Sequence, residues 1–331
     1  MMMKKIYFFV FTALIGMAAL VSCQKENITT NEAVQFEGFA LIDGRLAFDD
    51  EASYKDVLNQ LYLAQDELDK WEKAVPSYTS MRTQFESFTD ENAEKILENF
   101  EEYKYLLAKI SEPNGDYSIE RNIYNDVIST LVSNDGFLQI GTTVYRFTHD
   151  HFYSVDVEDI DLLKTANIDL SNPAVTRTTI KRDFMISDTN VATQRAQTVG
   201  ECTNEANGRR TRGQILRETL FDNDCIMRTK HQRRRLGVWW SNRTTISVNY
   251  SGNFVKIWSN CSPTPRVFFS DGGFDANASS ISRVVPGNHP SFNGCNGSAT
   301  PFHDGLYRST HRANGRTCTL RCPPLSSCFG S

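Results

Sequence analysis

The residues best equipped for chemistry in this 331-residue chain are eight cysteines and six histidines. Seven of the cysteines crowd the C-terminal part: Cys202, Cys225, Cys261, Cys295, Cys318, Cys322 and Cys328. In an oxidising compartment such residues form disulfides by default, and an odd number leaves one thiol over. Sequence alone does not choose the pairs, although Cys318 and Cys322 are one candidate bridge. Cys318, Cys322 and Cys328 with His303 and His311 also supply enough ligands for zinc, but their spacing departs from that of paired CxxC knuckles. His149, Asp150 and His151 put two imidazoles on one face of a strand and the carboxylate on the other. An exposed strand end is the expected arrangement there. Asp271, Asp275 and Asn277 in "DGGFDAN" offer oxygen ligands beside a glycine turn, without the alternating acids and closing Glu of an EF-hand loop. A plain turn is expected, and no metal or cofactor is assigned.

A second cluster is basic. Arg228, Lys230, Arg233, Arg234 and Arg235 run up to Trp239 and Trp240, with Trp258 further on. Guanidinium groups hold phosphate or carboxylate through paired hydrogen bonds, and aromatic faces stack on sugar rings. Arg233, Arg234, Arg235, Trp239 and Trp240 are therefore the candidate anion or glycan site. A solvated basic strand beside core tryptophans is the competing reading. The chain carries no GxSxG, HExxH, P-loop or GxGxxG signature, and no catalytic residue is assigned.

The elements that would position these residues fall into two halves of opposite charge. Residues 24–170 hold 30 acidic and 12 basic side chains, and residues 171–331 hold 10 acidic and 21 basic ones. Such a step suggests two domains that attract each other or are separately solvated. In the acidic half, Asp43-Gly44 marks a hairpin between short strands. Tyr54, Val57, Leu58, Leu61, Leu68 and Trp71 then line one helix face, with Asp50 or Ser53 as cap. A second acidic helix is expected over 90–110, broken by "EPNGD", and a third over 119–132. After residue 136 the pattern turns to strands. A polar loop spans about 165–200, and the remainder is β-like, with a hairpin expected around Ser251-Gly252-Asn253. The fold class is α+β: an acidic N-terminal helical module with short strands, then a β-rich, disulfide-containing C-terminal domain. The expected divisions are 1–22, 23–35, 36–165, 166–200 and 201–331. They correspond to a leader, a tether, the acidic module, a linker and the basic Cys-rich domain.

The first division is read from Lys4 and Lys5 followed by an uncharged, mostly apolar run from Ile6 to Val21. Sixteen helical residues reach about 24 Å, short of the roughly 30 Å of a bilayer core, so the run reads as a cleavable export signal. It ends in "LVSC", which resembles the lipobox of bacterial lipoproteins. That resemblance implies cleavage before Cys23 and acylation of its thiol. "QKEN" after it is similar to a short charged surface-export tag. "GRLAFDDEASYKDVLNQL", "WEKAVPSYTSMRTQFESF" and "NDGFLQIGTTVYRFTHDHFYSV" together resemble an uncharacterised family of Bacteroidota lipoproteins of DUF4848 type, over about residues 40–165. The resemblance implies fold and location and no activity.

The expected protein is thus exported and lipid-anchored in the outer membrane, exposed at the cell surface or facing the periplasm. Its partners are the membrane, through N-terminal acyl chains, and an acidic glycan, lipopolysaccharide or envelope protein. Nucleic acid is not expected in that compartment. The reading is a non-catalytic binding or interaction protein. A hydrolase of unrecognised type acting on envelope material and a structural or assembly subunit are the alternatives.

Overall fold

A computed structural model describes residues 34–184, 201–221, 223–258, 267–285 and 299–322. The leader, Cys23 and the rest of the tether up to residue 33, Cys261, Cys295 and Cys328 lie outside the described residues. Among the described residues no helix is long and apolar enough to cross a membrane.

Strands β1 (Val34–Phe36), β2 (Phe39–Ile42) and β3 (Arg45–Phe48) form an antiparallel meander. Asp43 and Gly44, at φ 49° and 79°, make the expected tight turn. Helix α1 (Glu51–Leu63) starts at Asp50, whose Oδ1 accepts from the Ser53 amide at 2.8 Å. It buries Tyr54, Val57, Leu58, Leu61 and Tyr62. After a short 3-10 turn come α2 (Leu68–Lys73), α3 (Met81–Phe85) and α4 (Ala93–Glu98).

Here the structure departs from expectation. Only the first part of the segment 90–110 is helical, because Leu107–Ser111 forms strand β4, paired with β5 (Tyr117–Arg121). "EPNGD" is the turn of that hairpin, with Glu112 N–H donating to the Asp116 carbonyl at 2.9 Å. The third helix shrinks to α5 (Asp126–Leu131), capped by the Asn125 side chain. Tertiary pairing has overridden local helix preference in both places. Then follow β6 (Phe137–Ile140), β7 (Thr143–Phe147), β8 (His151–Asp156), α6 (Asp161–Lys164), β9 (Thr176–Thr179) and β10 (Lys181–Phe184). The expected linker thus contains two strands.

The remaining described elements are strands: β11 (Glu201–Ala206), β12 (Arg209–Thr219), β13 (Asn223–Arg235), β14 (Val238–Ser241), β15 (Thr244–Trp258), β16 (Val267–Ala278), β17 (Ser280–Val285), β18 (Ala299–Ala313) and β19 (Arg316–Cys322). The expected hairpin at 251–253 is absent, since β15 runs straight through those residues with β16 and β18 on either side. "DGGFDAN" is strand, not turn.

Among the described residues three open sheets result. The first has the order β1-β2-β3-β6-β7-β8-β9. The second follows β10-β12-β13-β14-β5-β4, with β11 also on β12 and β17 also on β13. The third is β16-β15-β18-β19. The protein is predominantly β with short helices.

The second sheet takes β4 and β5 from the acidic half and its other strands from the basic half. The main core likewise joins Phe48, Leu58, Ile128 and Leu131 to Leu216, Ile226, Trp240 and Val284. The described residues from Val34 onwards cluster as one compact unit, with the charge step inside it. The step is used inside the molecule. Buried Glu120 meets Arg228 Nη1 at 3.0 Å and Lys230 Nζ. Glu112 holds Arg210 and Arg212, each at 2.8 Å. Asp116 holds Arg234 at 2.6 Å, and Asp90 holds Arg233 at 3.1 Å. Burial alone would raise the Glu112 and Glu120 carboxyls, yet these cations hold the first at about 2 and the second well below the usual range.

Cys202 on β11 and Cys318 on β19 form a disulfide with Cα atoms 5.9 Å apart. It ties the second sheet to the third and rules out both a Cys318–Cys322 bridge and Cys318 as a zinc ligand. Cys225 is buried on β13 and stands outside that bridge.

Close packing between β12 and β18 depends on Gly213. A Cβ there would come within 2.2 Å of the His311 ring. His311 is fully buried, with Nδ1 2.8 Å from Thr229 Oγ1 and Nε2 2.7 Å from Ser309 Oγ. Burial pushes its pKa down to about 3. Its folded value lies below the unfolded one, near 6.5, so the unfolded chain binds the extra proton between these values. Stability is therefore retained above pH 6.5 and falls by about 1.4 kcal/mol per unit between pH 6.5 and 3 from this group. Urea unfolding of wild type and His311→Gln across that range should show this component missing from the variant.

Candidate functional site

The segment from α2 to α3 is a turn held by one carboxylate. Glu72, near the end of α2, accepts from Ser80 N at 2.8 Å, from Ser80 Oγ at 2.7 Å and from Thr83 Oγ1 at 2.7 Å. Arg82 Nη2 approaches the same group at 3.4 Å. The clamp holds Ser77 in the left-handed region at φ 62°, which costs a non-glycine residue about 1–2 kcal/mol. Such strain persists where the surroundings impose it.

This turn forms one wall of an open groove of about 670 Å³. The other wall comes from the basic half: Phe274, Asp275 and Asn277 on β16, Ser280, Ile281 and Arg283 on β17, and Arg243 before β15. The floor carboxylates are already engaged. Glu86 accepts from Ser279 N at 3.0 Å and from Ser279 Oγ at 2.8 Å. Burial of Glu86 outweighs those bonds and raises its pKa above the usual value. Asp126 accepts from Arg121 and, at 2.6 Å, from Ser282 N. Arg283 lies across Gly273, pairs with Asp66 and donates to the Gly272 carbonyl at 3.1 Å. The rim is freer, with Lys73, Ser77, Ser87, Arg243, Phe274 and Asn277 all exposed.

The residues singled out in sequence are placed elsewhere. Trp239 is 1 % exposed and Trp240 0 %, so neither offers a face to a sugar. The guanidinium of Arg210 covers Trp239, 4.3 Å from the ring centroid. Arg233, Arg234 and Arg235 are half-exposed at the end of β13, each against an acidic-half partner, with Arg235 donating to the Asp90 carbonyl at 2.7 Å. The aromatic part of the expected anion or glycan site is therefore core, and its basic part faces carboxylates of the same chain. The turn beyond them is Leu236-Gly237, at φ 55° and 73°. Leucine is a poor residue for that backbone, and Leu236 is 57 % exposed. Leu236→Asn should raise stability by about 1 kcal/mol, read as a higher thermal midpoint.

His149 also serves its own chain. Its Nε2 is 3.2 Å from Tyr124 Oη and its Nδ1 2.8 Å from Asp150 Oδ1. Burial and the nearby Arg182 lower its pKa. His151 stacks on Tyr153. Among the described residues no group of three or more His, Cys, Asp or Glu is arranged to hold a metal ion. The groove itself carries no sequence signal, because Glu86 belongs to no motif and Phe274 is the apolar residue of a stretch that stands out for its oxygens. "DGGFDAN" was noticed for its oxygens, whereas its Phe274 is the residue that stands out in the structure.

The fold and site thus define a predominantly β protein with an open polar groove between segments of opposite charge. No family model matches the chain, and no curated protein matches it. Among solved structures, it is similar to a DUF4848 family protein from Bacteroides thetaiotaomicron VPI-5482, with 12 % identity over 88 % of this chain and 100 % of that one. The TM-score is 0.24, which does not define a shared fold.

Proposed function

We propose that the mature chain is a lipid-anchored cell-envelope protein that binds a ligand in the groove without transforming it. The observation that carries the binding role is the groove's build: a rigid, hydrogen-bonded floor under an exposed polar rim. Ligand sites are typically preformed concavities with a few fixed polar groups. The engaged floor supports binding over chemistry, because Glu72, Glu86 and Asp126 each spend their oxygens on protein donors. The anchor and envelope location rest on Lys4, Lys5, the apolar run and "LVSC" at Cys23. Acyl chains contribute about 0.8 kcal/mol per buried CH₂, and several together hold a protein stably on a membrane.

Two measurements test the proposal. Mass spectrometry of the mature protein should show residues 1–22 removed and acyl mass on Cys23, while an unmodified Cys23 would refute the anchor. The full mature chain carrying Cys23→Ser should gain thermal stability from a member of a defined library of oligosaccharides and peptides. Ser87→Trp, which narrows the groove, should abolish the gain, and the absence of any gain would refute the binding role. The raised pKa of Glu86 favours a second reading, a hydrolase with Glu86 as its acid. Cleavage of a bound ligand that Glu86→Gln abolishes would establish that reading instead.

A further inference from the structure

The groove does not end at Phe274. A second depression, lined by Asp66, Ser247, Asn249, Gly272, Gly273 and Phe274, continues from it and shares Asp66 and Phe274. Phe274 is 66 % exposed at the junction. Its position inside a polar channel distinguishes it from other exposed apolar side chains, because there the ring can pack against the apolar face of a bound ligand.

Beside the ring, the space over Gly272 and Gly273 is filled by neighbouring side chains. A Cβ on Gly272 would lie 2.6 Å from Asn249 Oδ1, and one on Gly273 would lie 2.4 Å from Arg283 Nε. The Asn249 amide, the Ser247 hydroxyl and the Asp66 carboxylate line the depression with the ring. An aromatic face with a polar border matches the two sides of a pyranose: a C–H face and a rim of hydroxyls. A peptide adding as a strand to β16 would need outward backbone groups. At Gly272 these are taken, because its N–H donates to Asp271 Oδ1 at 2.7 Å and its carbonyl accepts from Arg283. The first depression is lined by six carboxylates and four cations, which disfavours an acidic ligand.

We propose that the continuous groove binds a neutral, extended saccharide chain, with Phe274 as the platform for one sugar ring. The proposal rests on the groove being a ligand site and deepens that reading by naming the ligand class.

Phe268 supplies the control. It stands on the same strand, is 76 % exposed and does not line the groove. Calorimetry on the full mature chain carrying Cys23→Ser would use neutral hexasaccharides of gluco-, xylo- and manno-configuration, with a hexagalacturonate as the acidic comparison. The proposal requires that a neutral hexamer bind more tightly than its dimer and than the acidic hexamer. Phe274→Ala should weaken that binding by about tenfold and Phe268→Ala should leave it unchanged. Failure of all neutral hexamers to bind at millimolar concentration, or unchanged binding by Phe274→Ala, would overturn the proposal. A peptide that stabilises the protein and is blocked by Ser87→Trp would leave the groove as a ligand site and remove the saccharide. No stabilisation by any compound would remove both.

Discussion

Glu120→Ala should destabilise the protein by about 3–5 kcal/mol, a large part of the 5–15 kcal/mol typical of a folded domain. Glu120 is 2 % exposed and faces two cations, Arg228 and Lys230, whose side chains are 0 % and 4 % exposed. Burial pushes the Lys230 ammonium down, and the carboxylate opposes that shift. Removing the carboxylate leaves the Arg228 charge buried without its partner and drives the Lys230 ammonium, already held at about 7, further towards its neutral form. Arg228 is further held over the Tyr124 ring, 4.4 Å from its centroid, so it has little freedom to swing towards water. Glu120→Gln keeps the shape and some hydrogen bonding but also loses the charge, so it should be damaging as well. A triple change, Glu120→Leu with Arg228→Met and Lys230→Met, should recover much of the loss, because it removes the desolvation cost along with the attraction. Urea unfolding of the four proteins checks the order.

Replacing Cys202 and Cys318 by serine should cost about 5 kcal/mol, the chain-entropy value for a loop of this size. The two residues are 116 apart in sequence, so the bridge greatly restricts the unfolded chain. It also fastens β11 to β19, which belong to different sheets. Reduction of wild type should lower the urea midpoint to that of the double variant. A reduced wild type much less stable than the variant would show that further bridges, among cysteines outside the described residues, share the work.

Much of the acidic half was legible because its signals are local. Asp43-Gly44 demands a left-handed turn, Asp50 caps the helix it precedes, and the spacing from Tyr54 to Leu61 marks a buried face. Strands β6, β7 and β8 likewise follow from alternation. Where a segment's fate depends on a distant partner, the local signal misled. Leu107–Ser111 looks helical in an acidic run but becomes a strand beside Tyr117–Arg121. Ser251-Gly252-Asn253 has turn composition, yet β16 and β18 hold it extended. The charge step was visible, and mutual attraction of the halves was one reading of it. Which carboxylate meets which cation could not be seen, because Glu120 and Lys230 are 110 residues apart. The basic run misled for the same reason: Arg233–Arg235 looked free in sequence and face Asp90, Asp116 and Glu94 in space.

The central claim is that the acidic and basic halves form one folded body, stitched by these pairs, with the groove between their segments. Equilibrium urea unfolding tests it most directly. In a Trp71→Phe variant, tryptophan fluorescence would follow Trp239, Trp240 and Trp258 in the basic half, and amide exchange would follow α1 and β6–β8 in the acidic half. The account predicts a single transition, with both probes sharing one midpoint and one slope. Two separated transitions, one for residues up to about 165 and one for the remainder, would contradict it.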